Sequence, residues 1–324
     1  MSIIRYLIVL ISVTMLTACS YVDTKPQHIV PLYKSLAHYD DMLQTARDSM
    51  LVNKRSELKA LLKVFGYDSL DSKALLYLSS SPAVEAFVPV VDSIYPSLQS
   101  IEIDLGKILA NADKANLQLP HRTYIAVVWG KPKSMMFVDS CMMIALNHYL
   151  GENFQGYANW PAYIRATKTP QQLPYDMAEA LIATQYPCEI SQDATALSRM
   201  IYEGAMALTK QRIVENSTPA AVLGYNEEQW KWLEDNEKNI WLKLINDKLL
   251  YSTSQNVIGN LILPSPTTNI ISPYSPGRVG RYVGYRIVSE YLAHNVDTPL
   301  QVLLSPSFYN DESILIKSKY SGEK

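Results

Sequence analysis

Asp176 and Glu179 stand three residues apart in LPYDMAEALIATQ, a stretch with helical periodicity, so their carboxylates share one side of that helix. Two carboxylates held together can divide acid–base work or bind a cation. A solvated acidic face is the plainer expectation, because charged residues are mostly exposed. Glu203 is a third acid in an unusual setting. In LSRMIYEGAMAL, Leu197, Met200, Ile201, Gly204 and Leu208 form the apolar stripe of an amphipathic helix. Glu203 lies about 120° round the wheel from the centre of that stripe. Beside it, Gly204 weakens the helix by roughly 1 kcal/mol relative to alanine. Arg278 follows Ser275-Pro276-Gly277 and opens a helical stretch from Val279 to Leu292. Proline there suits the first helical position, and Gly280 and Gly284 leave a flat face for a close neighbour. A cation in the first turn opposes the helix dipole, so Arg278 asks for a carboxylate partner unless it simply reaches water.

Other chemistry is harder to find. The five histidines, at positions 28, 38, 121, 148 and 294, are widely spaced, and none forms an H-x(3)-H pair. No HExxH, GxSxG, P-loop, GxGxxG or DxDxDG occurs in the chain. His148 falls on the polar side of its segment and is expected to be solvated or locally bonded. No catalytic constellation, metal site or cofactor can be read from these residues. Tyrosine is abundant, 22 against 5 phenylalanines. It suits interfaces and sugar-binding surfaces, or a core that uses Tyr for Phe.

The elements that must position the acids and Arg278 are mostly helical. From Leu32 to Leu119 apolar residues recur at helical spacing, Gly66 suits a helix C-cap, and Pro89 argues for a kink or break. The character changes at Arg122. Tyr124–Trp129 reads as a strand, Gly130-Lys131-Pro132-Lys133 as a turn, and Met135–Val138 as a second strand, giving a small hairpin. Asp139 or Ser140 then caps an expected helix whose face is Met142, Ala145, Leu146, Tyr149 and Leu150. Leu173–Gln185, Asp193–Val214 and Asn226–Leu250 are further helices, the last opening on an N-cap with Gln229 at N3. Pro264–Ser275 is a long Pro/Ser/Thr-rich loop. The fold class is mainly α (α+β): a single domain over 31–324, with a helical part at 31–120 and an α+β and helical part at 121–324.

The N-terminus is of another kind. In MSIIRYLIVLISVTMLTACS, Arg5 precedes an apolar run from Tyr6 to Leu16 that is too short for a comfortable membrane span and matches a secretory signal. Leu16-Thr17-Ala18-Cys19 resembles a bacterial lipobox, which implies removal of residues 1–18, lipidation of Cys19 and a tether over 19–30. Ser20 after that cysteine leans towards the outer membrane. Export leaves Cys141 and Cys188 open to a disulfide or to service as buried thiols. The net charge is −2 with no long basic run, which argues against a nucleic-acid partner.

Several stretches together resemble the gliding-motility lipoprotein GldB family of Bacteroidota. They are Leu146–Gly151, Met200–Gly204, Gly224–Trp230, Leu249–Thr253 and Ser275–Gly280, in matching order and spacing. The resemblance implies an outer-membrane, periplasm-facing lipoprotein working with envelope proteins of gliding or type IX secretion machinery, with no established enzymatic activity. Where the family usually carries Trp-Val-Gly-Trp, this chain has Tyr282-Val283-Gly284-Tyr285, which keeps an aromatic surface. The family is also distantly similar to zincin-type metallopeptidases. On that similarity Asp176–Ala180 occupies the HExxH place and Glu203 the later ligand place, with both histidines and the general-base glutamate lost. Asp176, Glu179, Glu203 and Arg278 then line a former cleft, and Glu203 is expected to be held by Arg278. The rival readings are a divergent hydrolase built on these four residues and a glycan-binding envelope lipoprotein.

Overall fold

The computed structural model describes residues 24–191 and 193–323, so the expected signal sequence and the expected lipidation site Cys19 lie outside the described residues. Strand β1 (Ile29–Pro31) leads into six helices between Leu32 and Lys114. Strands β2 (Thr123–Val127), β3 (Met135–Val138) and β4 (Cys141–Ala145) follow, and the remainder is helical to Ser318. The chain is mainly α with one small sheet, as its periodicity predicts. The last residues of the expected tether belong to the fold, because β1 already pairs with β2.

The sheet is not the expected hairpin. Its order is β1-β2-β4-β3, with β1, β2 and β4 parallel and β3 antiparallel at the edge. Residues 123–127 pair with 141–145, and the hairpin is β3–β4, turned at Asp139, whose φ is +52°. Thus the segment expected as a helix from Asp139 or Ser140 is a strand followed by a 3-10 turn at Leu146–His148. The physical reason is burial on both faces. CMMIA is wholly buried, and an unbroken apolar run satisfies a helical template as well as a central strand.

That double burial divides the interior. Tyr124, Ala126, Met142 and Ile144 face the large core built with the C-terminal helices. Ile125, Val127, Cys141, Met143 and Ala145 face a smaller core formed with helices of the N-terminal part. Alternation along each strand sends successive side chains to opposite cores. The tyrosines mostly serve these interiors: Tyr33, Tyr39, Tyr124, Tyr149, Tyr157 and Tyr282 are among the largest fully buried side chains.

Two long helices cross at the centre of the large core, Ala196–Ile213 and Val279–His294. Glycine makes the crossing possible. A Cβ on Gly204 would strike the backbone of Gly284, and one on Gly284 would strike the carbonyl of Met200. The flat face expected of Gly280 and Gly284 is therefore real: Gly280 lies against Leu261, and Gly284 against the other long helix. Tyr282 and Tyr285 are buried and bond Glu237 and Gln211, so they do not form an aromatic surface.

Smaller differences have local causes. Asn226 and Gln229 make the expected capping box, but the helix ends at Asp235 and a second runs over Glu237–Asn246. Asn236 breaks it by turning its side-chain amide back to the Trp232 carbonyl at 2.9 Å. The helix Pro82–Ile94 runs on through Pro89. Cys141 and Cys188 are free thiols. Among the described residues no single helix is long and apolar enough to cross a membrane.

Candidate functional site

The helix Leu173–Gln185 starts with Pro174 in its first turn and carries Asp176 there, where an acid complements the dipole. Asp176 and Glu179 do share a side of it, and both open into one cavity of about 230 Å³. The helix Ala196–Ile213, capped by the Thr195 hydroxyl, brings Lys210 to the same cavity. The loop before Val279 and the helix after it bring Arg278 and Arg281. Val222, Tyr225, Ile164 and Tyr163 close the sides. Three of the four residues expected to gather thus line one cleft.

Glu203, the fourth, is not in the lining but is bonded to Arg281, which is. It is buried, with 5% of its surface exposed. Its expected partner is corrected: Glu203 pairs with Arg281 at 2.9 Å and with Arg199, one turn back on its own helix, at 2.8 Å. Arg281 lies three residues beyond Arg278, so it projects from the helix where Arg278, at the cap, cannot. Arg278 instead donates to the Gly224 carbonyl at 3.0 Å and lies over the Tyr225 ring. It is the N-cap residue, with φ of +62°, so the helix begins at Val279 and Pro276 is not its first residue.

The two cavity carboxylates differ in electrostatics. Burial and then the neighbouring Glu179 charge raise the Asp176 pKa, against hydrogen bonds from Gln172 and Tyr149 and the charge of Lys168. Tyr149 donates to Asp176 at 2.8 Å and Gln172 at 3.1 Å. For Glu179, burial also raises the pKa, but the charges of Lys210 and Arg281 outweigh it and hold the group at about 2. Lys210, itself buried, contacts the Glu179 carboxylate at 2.5 Å.

Sequence reasoning missed Lys210 and Arg281. Lys210 is seven residues past Glu203, two turns along the same helix, and that spacing was the available signal. Nothing in the sequence pointed to Gly224 or Tyr225 as the bed of Arg278. Of the two expectations for His148, bonded or solvated, the structure shows the bonded one, on a buried 3-10 turn and not on the polar side of a helix. His148 is 2% exposed, bonded through Nδ1 to Ser134 and through Nε2 to the Lys131 carbonyl. Burial and Lys168 lower its pKa to about 4. Among the described residues, no three His, Cys, Asp or Glu side chains gather as a metal site.

A family model described as gliding motility protein GldB matches residues 25–322. The chain belongs to that family. No curated protein and no solved structure matches it. The GldB match spans both cores, the sheet and every residue of the cleft, so the cleft belongs to the matched domain and is not an appendage to it.

Proposed function

We propose that this GldB-family chain is an outer-membrane lipoprotein, lipidated at Cys19 and facing the periplasm, that serves gliding or type IX secretion machinery as a non-catalytic accessory or scaffold. Family membership supports the role in motility. The observation that carries the non-catalytic part is the state of Glu179. A carboxylate held at about 2 by Lys210 has little drive to accept a proton at neutral pH. Glu203 is likewise occupied, by two arginines. In this reading the zincin-like residues are a relic turned into a buried charge network.

A scaffold also needs a surface to offer. An apolar groove of about 580 Å³ lies where Leu61, Phe65, Val84, Phe87 and Trp129 meet, with Tyr77 73% exposed at its edge. A contiguous apolar surface of this kind supports protein docking.

One observation favours a second reading, a divergent hydrolase: Asp176 is pushed up while Glu179 is pushed down, the split that separates an acid from a base. The deciding experiment places a photocrosslinking residue at Tyr77, and separately at Tyr274, in the lipidated protein in cells. Recovery of motility or secretion proteins at Tyr77 supports the scaffold. Glycan or no attachment counts against it, and turnover by the purified domain that is lost on Asp176→Asn replaces it with the hydrolase.

A further inference from the structure

Arg278 is built into the cleft more firmly than packing requires. Its backbone occupies the left-handed region, uncommon for a residue with a side chain, at the N-cap of a 16-residue helix. The positive end of that helix makes a cation unwelcome there. Its guanidinium nonetheless turns inward, stacked 5.3 Å from the Tyr225 ring centroid. Gly224, with φ of +70°, forms the other side of the bed, and a Cβ there would come within 3.3 Å of the guanidinium. Tyr225 Oη donates to the carbonyls of Gly277 and Arg278, each at 2.9 Å, which pins the turn.

The charges around it do not close. Lys210 pairs with Glu179, and Glu203 is shared between Arg281 and Arg199. Among the described residues, no carboxylate reaches Arg278 within ion-pair distance; its hydrogen bond is to the Gly224 carbonyl. Arg281 Nε, next to it, is buried and without a hydrogen-bond partner. Burial and the neighbouring Glu179 charge raise the Asp176 pKa. Arg278 is left without a paired carboxylate at the wall of the cavity, and its planar fork suits one. A buried charge is expensive unless it is paired.

We infer that the cleft is a receptor site for a single carboxylate, gripped by Arg278 with Arg281 beside it, on a ligand whose buried part is no larger than a cavity of about 230 Å³. Asp176 and Glu179 line the same cavity, and like-charge repulsion from that side favours a monoanion over a phosphate dianion. The carboxylate belongs either to a free small acid or to the C-terminus of a peptide, and the two are separable by experiment. The site stands whether or not the cleft catalyses anything, and it gives a scaffold a means of sensing a ligand.

The test uses the domain from Ser20 onward and isothermal titration with acetate, N-acetyl-Ala-Ala, N-acetyl-Ala-Ala amide and inorganic phosphate. Saturable binding of a carboxylate, with the amide binding at least about tenfold more weakly, is expected from loss of one charge-assisted pair. Arg278→Gln should weaken it by a similar factor. Tighter binding of the dipeptide than of acetate assigns a peptide terminus, and equal binding assigns a free acid. A second measurement needs no variant: saturating acetate should slow phenylglyoxal modification of Arg278, mapped by mass spectrometry, and leave Arg199 unprotected. No saturable carboxylate binding, equal binding of the amide, preference for phosphate, or unprotected Arg278 overturns the inference.

Discussion

His148 offers the sharpest test of the electrostatics. Lys168 donates to the Ser134 hydroxyl at 2.8 Å, so the serine proton is free to go to His148 Nδ1. Nε2 faces the Lys131 carbonyl and must carry the ring hydrogen. The neutral imidazole is thus fully satisfied, and a second proton would meet Ser134 and the Lys168 charge behind it. Its folded pKa of about 4 lies below the ordinary 6.5. Above pH 6.5 the ring is neutral in both states and its contribution to stability is complete. As pH falls from 6.5 to 4, the unfolded chain takes a proton that the fold refuses, and stability is lost. At about 1.36 kcal/mol per pKa unit, the loss is about 2 kcal/mol at pH 5 and about 3 kcal/mol below pH 4. Glu179, held at about 2, gives up its own contribution only below 4.5, so it does not contribute to the change between pH 7 and pH 5. Asp176, raised, shifts stability in the opposite direction, but it does so equally in a variant that keeps it. The assay is urea unfolding of the parent and of His148→Gln at about pH 7 and about pH 5. The parent should lose about 2 kcal/mol more than the variant between the two. Equal losses would refute the buried, neutral histidine.

The helix crossing and the buried ion pair supply further tests. Gly284→Val should lower the unfolding free energy by at least the roughly 1–3 kcal/mol of an overpacked core, read as a lower urea midpoint, because its side chain meets the Met200 carbonyl, which is backbone and cannot swing away; a midpoint unchanged from the parent would mean the helices can part cheaply. Glu203→Gln keeps the shape but strands Arg281 and should cost about 3 kcal/mol in the same assay, whereas Arg199→Gln, removing the more exposed partner, should cost under about 1 kcal/mol.

Much of the frame is visible in the chain before any coordinates. Helical periodicity locates Leu173–Gln185 and the two long crossing helices, because each carries apolar residues at helical spacing over three or more turns. The glycines at 204 and 284 also announce themselves, since a glycine inside a helix has a cost that close packing can offset. The sheet does not. Met142 and Met143 are both buried, against opposite cores, so alternation disappears from the sequence exactly where the strand is most central. The cleft falls between these cases. Asp176 and Glu179 are legible as an i, i+3 pair, and Arg278 as a cation in the wrong place on its helix. Their partners are not, because Lys210 and Arg281 come from helices brought together only by tertiary packing.

The N-terminal strand constrains more than the sheet. Lys25 already presses its carbonyl on Gly106, Gln27 donates to Glu102 at 2.8 Å, and β1 begins at Ile29. With a lipid on Cys19, as proposed, six residue steps separate the bilayer from the first docked residue, roughly 20 Å at full stretch. Such a short mooring leaves the domain little room to tumble or to reach outward. On that proposal, the side bearing the helix Gln99–Lys114 is held within about 20 Å of the bilayer.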